Sequence, residues 1–297
     1  MNRPPALPDP TNVPLRGPVP PFKTQLLKWV GSKQKFAHDI IAHFPADMQM
    51  YHEPFLGAGG VMAVLAPGRG FGSDIFGPLV QIWQALAADP DRLKAWYADR
   101  WQAFHAGDRV AAYEAVKAGY NAAPNGADLL FLCRACYGGV VRFRRRDGHM
   151  STPCGSHPPI KPAAFARRVD LWHARLRGVQ FDQLDYREAM ARARPGDLVY
   201  CDPPYSFSQT ILYGAQAFSL PDLFTAIEDC RRRGVHVALS IDGTKKSGGV
   251  DCEIAPPEGL FTQEIMVNIG RSMLRRFQMG GQTMEGEQVR DRLLLTY

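Results

Sequence analysis

The segment that most constrains the fold of this chain is a short apolar run that enters a glycine turn and leaves it as a helix. Tyr51-His-Glu-Pro-Phe-Leu56 is followed by Gly57-Ala-Gly-Gly60 and then by VMAVLA. A strand, a glycine turn and a helix in that order open a nucleotide-binding α/β unit. The next predicted strand ends at Asp74, about 15 positions beyond the glycines, where an acidic side chain can bind a pair of ribose hydroxyls.

Strand and helix patterns continue to alternate along the rest of the chain. Short apolar strands are predicted at 179–181, 198–201, 235–240 and 293–296. Helical periodicity covers most of 77–137 and returns in FARRVDLWHARL and PDLFTAIEDCRRR, and a further helix is predicted at 33–44. The alternation predicts an α/β fold with a mostly parallel sheet and helices on both faces. Glycine, proline and arginine crowd between 138 and 162, which favours a loop or ribbon there.

Composition narrows the class of protein. The 297 residues are 45% hydrophobic and 22% charged, which excludes a disordered or collagenous chain. No apolar run reaches the ~18–20 residues that a transmembrane helix needs, and the N-terminus lacks an apolar signal segment, so we expect a cytoplasmic protein without a membrane partner. Six cysteines are too few for a disulfide scaffold, and we expect reduced thiols. Residues 1–22 are rich in proline and are expected to form an extension outside the fold.

The net charge of +6 is concentrated in one part of the chain. Between 131 and 177 there are ten lysine or arginine residues and two aspartates, a balance of +8, so the remaining residues sum to about −2. A basic region in an otherwise near-neutral protein is typical of proteins that bind a partner with many phosphates, because the counterions released from neutralised phosphates favour binding. The alternative interpretation is an arginine-rich surface that faces solvent.

Chemistry is predicted where the apolar strand at 198–201 runs into Asp202-Pro203-Pro204-Tyr205. Ligands of an open α/β sheet bind outside the carboxyl ends of its strands, and two consecutive prolines stiffen the backbone there. A planar exocyclic amine could give one hydrogen to the Asp202 carboxylate and one to the Pro203 carbonyl while its ring stacks on Tyr205. This arrangement suits methylation of adenine, because the two acceptors free the amine lone pair from the purine to attack an electrophilic methyl group.

At these residues the chain resembles the DNA adenine methyltransferases of the Dam type, which use S-adenosylmethionine. The resemblance covers nearly the whole chain, from about Leu26 to Tyr297, and its motifs come in the family's order. They are the N-terminal cofactor motif Leu27–Lys33, the cofactor loop Glu53–Gly59, the ribose-binding acid in Ser73-Asp74-Ile75, the target-recognition segment Tyr137–Phe143 with Thr152–Gly155, and the catalytic motif Tyr200–Tyr205. Five motifs in this order are far more specific than the catalytic motif alone.

The resemblance implies a Rossmann-like S-adenosylmethionine methyltransferase sheet with an inserted helical and loop-rich target-recognition domain. The sheet would be built from residues 23–85 and 178–297, and the recognition domain from 86–177. The implied reaction transfers a methyl group from S-adenosylmethionine to the N6 amine of an adenine flipped out of double-stranded DNA. Its catalytic residues would be Asp202, Pro203, Pro204 and Tyr205.

The resemblance also implies two sets of binding residues. The cofactor-binding positions are Lys28, Trp29, Lys33, Phe55, Gly57, Ala58, Gly59, Asp74, Ile75, Asp185, Tyr186 and Asp202. Among them Asp74 would bind the ribose hydroxyls, Phe55 and the glycines would surround the methionine part, and Asp185 would contact the adenine ring. The DNA-binding positions are Tyr137, Arg142, Arg144, Arg145 and Arg146, with Arg142 reading a base. Gly138 and the segment Phe143–Arg146 stand where the family usually has asparagines, so the target sequence GATC is not assumed for this chain.

Other interpretations stay open on the sequence alone. The same site could methylate the exocyclic amine of cytosine or act on RNA, or the chain could be a catalytically idle DNA-binding protein that keeps the fold as a scaffold. Cys133 and Cys136 with His149, Cys154 and His157 could form a zinc site, although the spacing of the first two also fits a helix core and the resemblance requires no metal. The sequence does not tell whether a cognate restriction endonuclease is a partner, nor what the oligomeric state is.

Overall fold

A seven-stranded sheet organises the computed structural model, which describes residues 15–204, 218–242, 246–247, 250–251, 255–268 and 290–297. Its strands are β1 (Tyr51–Glu53), β2 (Gly70–Asp74), β3 (Val179–Gln183), β4 (Leu198–Cys201), β5 (His236–Asp242), β8 (Gln263–Asn268) and β9 (Arg290–Leu295). Two shorter strands, β6 (Lys246–Ser247) and β7 (Val250–Asp251), pair with each other. The order across the large sheet is β3-β2-β1-β4-β5-β9-β8. Neighbours from β3 to β5 run parallel, whereas β9 is antiparallel to both β5 and β8.

Helices alternate with these strands, so the predicted α/β class is confirmed. Those in the described part of the chain are α1 (Ala37–Ile41), α2 (Gly60–Leu65), α3 (Gly77–Ala88), α4 (Pro90–His105), α5 (Arg109–Ala122), α6 (Gly126–Ala135), α7 (Pro162–Arg175), α8 (Tyr186–Ala191) and α9 (Leu220–Arg232). The N-cap residues of α4, α5 and α6 are Asp89, Asp108 and Asn125, and each side chain accepts a backbone N–H of the first turn. These residue types are strongly preferred at that position because they satisfy donors that the helix leaves unpaired.

Strand β4 positions the predicted catalytic motif. All four of its residues are buried. Leu198 and Tyr200 pack into the core on one face of the sheet, and Val199 and Cys201 pack into the core on the other. A strand that is buried on both faces is typical of a parallel sheet covered by helices. The chain therefore leaves the core at the carboxyl edge of the sheet, and Asp202 is the first residue there.

The segment before α1 contacts the fold more closely than its proline content predicts. Arg16 donates its backbone N–H to the carbonyl of Phe44 at 2.8 Å, and the carbonyl of Phe22 accepts a hydrogen bond of 2.8 Å from Gln34. The Phe22 ring packs against Trp172, with ring centroids 5.8 Å apart. The expectation that residues 1–22 stay outside the fold is therefore wrong for the part from 15 onwards. A proline-rich backbone still has carbonyls to pair and aromatic rings to bury.

Two other elements differ from the sequence-based expectations. The helix predicted at 33–44 is limited to α1, because the preceding residues form a turn in which the N–H of Phe36 bonds the carbonyl of Lys33. Strand β8 escaped the sequence patterns, since it mixes the exposed polar residues Gln263 and Glu264 with apolar ones at the edge of the sheet. Edge strands with one solvated face carry a weaker apolar signal than buried strands.

Helices α3 to α7 occupy the chain between β2 and β3. Helix α4 packs against both α6 and α7. Trp172 of α7 stacks on Trp83 of α3 with ring centroids 5.5 Å apart, so the last of these helices packs back against the first. No helix in the described part of the chain is long and apolar enough to cross a membrane.

Candidate active site

A cleft of about 1160 Å³, including the part open to solvent, lies at the carboxyl edge of β1, β2 and β4. Its walls come largely from the segments that follow these strands, 54–58, 74–76 and 202–204. The sequence-predicted residues that line it are Trp29, Lys33, Phe55, Gly57, Ala58, Asp74, Ile75, Asp185, Tyr186, Asp202, Pro203 and Pro204. The parallel topology thus gathers segments that are far apart in the chain into one cleft large enough for a nucleoside-sized ligand.

The glycine turn after β1 is fixed by the acid at the end of β2. Gly57 has a φ of +47°, and its N–H donates to Oδ2 of Asp74 at 3.0 Å. The N–H of Phe76 donates to Oδ1 of the same carboxylate, also at 3.0 Å. Burial raises the pKa of Asp74, and the backbone N–H groups of Phe76, Gly57 and Ile75 oppose that rise. Asp74 is thus held from two sides, and its remaining lone pairs can accept hydroxyl hydrogens.

Aromatic rings form another wall of the cleft. Phe55 stacks on Tyr186 with ring centroids 5.1 Å apart, and it meets Phe218 edge-on at 5.9 Å. Asp185 begins α8, where its side chain accepts the N–H of Arg187 at 2.9 Å. An apolar, aromatic surface beside a carboxylate suits a planar heterocycle that carries an amino group.

Trp29 connects the N-terminal motif to the glycine turn. A Cβ placed on Gly57 would lie 3.7 Å from the Trp29 ring, so the indole packs directly over this turn. Trp29 also stacks on Phe76 at 6.2 Å, and Phe76 in turn meets Phe143 edge-on at 5.5 Å. Ile75, with 61% of its surface exposed, lies on the rim beside these rings. A continuous aromatic contact therefore joins the cleft to the target-recognition segment.

The Asp202 carboxylate is held by Lys33. Nζ of Lys33 lies 2.8 Å from Oδ1 of Asp202, and only 9% and 17% of the two side chains are exposed. Lys33 lines the cleft, but its ammonium is directed at the predicted catalytic carboxylate. The two residues are 169 positions apart, so the sequence contained no local signal for this ion pair.

Glu53 is a buried acid that the sequence patterns did not single out. It ends β1, is 3% exposed, and its Oε2 accepts the Tyr51 hydroxyl at 3.0 Å and the Met62 N–H at 3.1 Å. Burial raises the pKa of Glu53 to about 8; the hydrogen bond from Tyr51 opposes the rise and the charge of Asp202 adds to it. Glu53 is therefore mostly protonated at neutral pH. The available signal was a glutamate at the end of the predicted strand segment, shortly before the glycine turn.

Of the predicted cofactor-binding residues, Lys28 and Gly59 are not among those that line the cleft. Lys28 is exposed, and its aliphatic stem lies against Gly139, where an added Cβ would be 2.7 Å from Cδ of the lysine. Gly59, with a φ of +59°, is the N-cap of α2 and lies against the Trp83 ring. Tyr205 lies outside the described residues, so its stacking role stays a prediction.

The segment predicted to recognise the target folds as a short antiparallel ribbon, which confirms the expected loop or ribbon between 138 and 162. Residues 142–151 form this ribbon, which is called the recognition ribbon below. The N–H of Ser151 donates to the carbonyl of Arg142 at 2.9 Å, and buried Phe143 and Met150 pair across the ribbon. Asn121 of α5 bonds both the N–H and the carbonyl of Met150. The base of the ribbon is therefore anchored in the helical part of the molecule.

The predicted DNA-binding residues occur on this ribbon and on the turn before it. Arg142, Arg145 and Arg146 are exposed, and Arg144 is half-exposed. Arg144 and Arg146 form ion pairs of 3.0 Å and 3.3 Å with Asp147. Tyr137, which is 51% exposed, belongs to the 3₁₀ turn Tyr137–Gly139.

Part of the predicted basic region serves the fold instead of a partner. Arg134 is buried, and its guanidinium donates to the carbonyl of Leu26 at 2.7 Å. Arg168 and Arg175 also donate to backbone carbonyls, at 2.7 Å and 2.9 Å. The charge excess between 131 and 177 is therefore not one phosphate-binding surface, because these arginines hydrogen-bond to carbonyls of the protein itself.

The cysteines of the zinc alternative belong to the core of α6 and its C-terminus. The buried thiols of Cys133 and Cys136 donate to the carbonyls of Leu130 and Cys133. Burial raises the pKa of Cys133 to about 11 and that of Cys136 to about 12. Within the described ranges, no group of three or more His, Cys, Asp or Glu side chains is arranged to hold a metal ion. Protonated thiols bonded to helix carbonyls fit the core interpretation of this spacing.

Comparison with known proteins decides the family. The family model of the D12 class N6 adenine-specific DNA methyltransferases matches residues 29–253, which is 225 of the 297 residues. The chain belongs to this family. The match includes the segments that line the cleft and the recognition ribbon, and it ends before β8 and β9.

Relatives of this methyltransferase carry names of the same activity. It is 26% identical over 230 residues to the DNA adenine methylase of Vibrio cholerae, covering 72% of this chain and 79% of the relative. It is 31% identical over 209 residues to the DNA adenine methylase of Serratia marcescens, covering 66% of this chain and 73% of the relative. A type II methyltransferase of Lactococcus lactis subsp. cremoris is 24% identical over 237 residues, covering 72% and 79%.

Proposed function

We propose that this enzyme binds S-adenosylmethionine in the cleft and methylates the N6 amine of an adenine that is flipped out of duplex DNA. The observation that carries the proposal is the position of Asp202: its carboxylate lies at the carboxyl edge of the sheet, held by Lys33, and lines the same cleft as Asp74. One acceptor for an amine and one for a ribose therefore border a single cavity. Membership of an adenine-specific family supports the choice of base.

The residues present fit the proposed cofactor. S-adenosylmethionine supplies a methyl group on a sulfonium centre and carries an adenosine and an amino acid part. Asp74 accepts the ribose hydroxyls, since its two oxygens are already oriented by the N–H groups of Gly57 and Phe76. Phe55 is implied by the resemblance to lie at the methionine part, but it stacks on Tyr186, so we assign both rings to an aromatic surface for the adenine ring, with Asp185 beside them as an acceptor for the ring amine. Trp29, Gly57 and Ala58 enclose the remaining part of the cofactor.

The target amine is bound by the first residues after β4. Asp202 accepts one amine hydrogen and the Pro203 carbonyl accepts the other, which directs the nitrogen lone pair towards the methyl group. Pro203 and Pro204 fix the backbone between the two acceptors. As the nitrogen gained its bond to the methyl carbon, the carbon–sulfur bond of the sulfonium would break and S-adenosylhomocysteine would leave, while Asp202 would hold the amine hydrogen that is lost as a proton. Tyr205 stacks on the flipped base, as the sequence predicts.

The recognition ribbon grips the duplex in this proposal. Arg145 and Arg146 are exposed on the ribbon and bind phosphates, whereas Arg142 reads a base edge in the major groove. The Phe143 ring holds the ribbon against Phe76 on the cleft side. Unstacking the adenine costs a few kcal/mol, which these contacts offset.

The decisive experiment combines radiolabelled cofactor with identification of the product. Purified enzyme is incubated with tritiated S-adenosylmethionine and unmethylated plasmid DNA, and the DNA is digested to nucleosides. The proposal expects label in N6-methyl-2′-deoxyadenosine only, and none with Asp202→Asn. Asp197→Asn is the matched control, because the Asp197 carboxylate is also largely withdrawn from solvent and lies 3.0 Å from a ring nitrogen of His52, but precedes β4 instead of following it.

The other outcomes separate the alternatives. Label in N4-methyl-2′-deoxycytidine, or preferential labelling of RNA when RNA is added beside the plasmid, contradicts the proposed substrate. Absence of both cofactor binding and methylation supports an idle DNA-binding protein. Sequencing a plasmid with modified-base detection, after expression in a methylation-free host, gives the recognition site and shows whether Asp202→Asn abolishes the mark.

A further inference from the structure

A third carboxylate meets the ion pair of Asp202 and Lys33. Oδ2 of Asp291 lies 3.4 Å from Nζ of Lys33, so one ammonium joins Asp202 and Asp291. All three groups are withdrawn from solvent, with 9% of the Lys33 side chain, 17% of the Asp202 side chain and 5% of the Asp291 side chain exposed. Charges this far from water interact strongly, because little solvent screens them.

The topology of the sheet brings Asp291 to this place. Strand β9 runs antiparallel to β5, so its first residues lie where the parallel strands end, with Asp291 opposite Asp242. Along β9 the side chain of Asp291 alternates with that of Arg292 and shares its face with Leu293 and Leu295, which pack into the same core as Tyr200. Asp291 therefore approaches Lys33 from beneath the cleft. It also lies beyond residue 253, where the family match ends.

Tyr200 gives a second sign that the carboxylates converge. Its hydroxyl, 2.9 Å from the Ser240 hydroxyl, is buried under the cleft. Burial raises the pKa of Tyr200 well above its ordinary value, and the negative charges of Asp202 and Asp291 raise it further, against the hydrogen bond with Ser240. Negative charge from the end of β4 and from β9 thus meets at one point of the sheet edge, where Lys33 brings a positive charge.

We propose that Asp291 is a positioning residue for methyl transfer, acting on Asp202 through Lys33. The inference rests on the proposed function. With Asp291 in place, the charge of the ammonium is divided between two carboxylates, so Asp202 keeps its strength as acceptor for the amine hydrogen. Asp291 also fixes Nζ of Lys33 on Oδ1 of Asp202, which fixes the orientation of the catalytic carboxylate towards the substrate. Without Asp291 the whole ammonium charge falls on Asp202 and weakens the acceptor.

A double-mutant cycle in the complete enzyme tests this coupling. Asp291→Asn, Lys33→Gln and the double variant are compared by single-turnover methylation of unmethylated plasmid DNA. Lys33→Gln keeps a hydrogen-bond donor but removes the charge. We expect Asp291→Asn to lower the single-turnover rate about 10-fold to 100-fold in the wild-type background and less than about 2-fold in the Lys33→Gln background. For Asp291→Asn the affinities for S-adenosylmethionine and for DNA should change less than about 3-fold, because Asp291 is not among the described residues that line the cleft.

The controls separate a positioning role from a structural one. The melting temperature of each variant is measured first, and Asp291→Ser, which leaves room for a water, must repeat the result of Asp291→Asn. Asp197→Asn is the matched buried carboxylate and should lower the melting temperature while the transfer rate remains within about 2-fold. A rate within 2-fold of wild type for both Asp291 variants, or an equal loss in both Lys33 backgrounds, overturns the inference. A wild-type enzyme that does not methylate DNA in the same assay instead counts against the proposed function.

Discussion

The backbone N–H of Gly57 donates a hydrogen bond of 3.0 Å to Oδ2 of Asp74, which ties the turn after β1 to the end of β2. The glycine adopts a positive φ of 47° at this point, a conformation that costs glycine little. The carboxylate therefore shapes the turn, and in the proposed function its remaining lone pairs accept the ribose hydroxyls of the cofactor that the turn helps to enclose.

Replacing Asp74 should affect cofactor binding much more than the chemical step. In Asp74→Asn one carboxylate oxygen becomes an NH₂ group, which cannot accept the N–H of Gly57 or Phe76 and cannot accept a ribose hydroxyl. We expect the Kd for S-adenosylmethionine to rise about 10-fold to 100-fold, since hydrogen bonds to a charged group are worth about 1.5–3 kcal/mol, while kcat at saturating cofactor changes little. Calorimetric titration measures the affinity. Asp182→Asn, which removes an exposed ion pair with Arg192, should leave it unchanged.

The raised pKa of Glu53 predicts a pH-dependent stability. The folded protein keeps the Glu53 proton up to about pH 8, whereas the unfolded chain releases it near the ordinary glutamate pKa of 4.5. Stability linked to this group is therefore present below about pH 4.5 and is lost as the pH rises through about 8. Glu53→Gln cannot titrate and does not lose this stability. As the pH rises from 5 to 8, its melting temperature should therefore increase relative to that of the wild type, by about 2–4 °C for each kcal/mol of unfolding free energy that the wild type loses.

Thermal melts at several pH values between 5 and 8 test the Glu53 prediction. Glu264→Gln is the contrasting variant, because the hydrogen bond from Arg292 lowers the pKa of Glu264. Stability linked to that group is fully present above its ordinary pKa and is lost only at lower pH. The difference between Glu264→Gln and wild type should thus stay constant over this range. A constant difference for Glu53→Gln as well would contradict a protonated Glu53 in the folded state.

Local sequence patterns were sufficient for the parts of the site that depend on one strand and the turn after it. Asp202 follows a run of four buried residues, and Asp74 follows a short buried strand, so strand ends alone located both acids at the cleft. The contacts between distant segments had no such signal. The ion pair of Lys33 with Asp291 depends on β9 running antiparallel beside β5, and a strand pattern contains no information on direction.

Counting charges along the sequence was a less reliable guide to partner-binding residues than strand patterns were to the cleft. The physical reason is again that the partner of a side chain depends on contacts between distant segments. The arginines at 134, 168 and 175 raise the local charge, yet each donates to a backbone carbonyl. An arginine side chain is long enough to bury its stem and still reach a partner, so its presence in a sequence does not tell which surface it serves. The role of Tyr205 stays a prediction from the motif, since that residue lies outside the described structure.

Gly60 should be intolerant of a side chain because α2 begins against the segment that carries Lys33. A Cβ at Gly60 would lie 2.8 Å from the backbone nitrogen of Gln34 and 3.0 Å from its Cα, and a backbone cannot rotate away as a side chain does. Gly60→Ala should cost about 1–3 kcal/mol in stability and should lower the transfer rate by displacing Lys33 from Asp202. Gly107→Ala, where nothing lies within 4 Å, is the control and should leave both unchanged.

Melting curves and single-turnover rates for the two alanine variants test the Gly60 prediction. The rate should be measured well below the melting temperature of Gly60→Ala, so that a loss of activity reflects the displaced lysine and not unfolding. A normal rate in a destabilised Gly60→Ala variant would show that the Lys33 segment absorbs the shift without leaving Asp202.

Removing positive charge and removing negative charge from the recognition ribbon should have opposite effects on the affinity for DNA. Arg145→Ala combined with Arg146→Ala should weaken DNA binding for all sequences and reduce the slope of log K against log salt by about 1 for each phosphate that is no longer neutralised. Asp147→Asn should strengthen binding at low salt, because the Asp147 carboxylate pairs with Arg144 and Arg146 and competes with phosphate for them. An asparagine oxygen can still accept the N–H of His149, so the turn is retained.

Fluorescence anisotropy with a labelled duplex at several salt concentrations measures both effects on the ribbon. Arg231→Ala combined with Arg232→Ala removes the same charge from α9 and should leave the salt slope within error of wild type, which excludes a simple effect of net charge. An unchanged slope in the Arg145 and Arg146 double variant would remove the ribbon tip from the DNA interface. Weaker binding by Asp147→Asn would mean that Asp147 orients the arginines for phosphate instead of competing with it, since an ion pair can position a guanidinium as well as neutralise it.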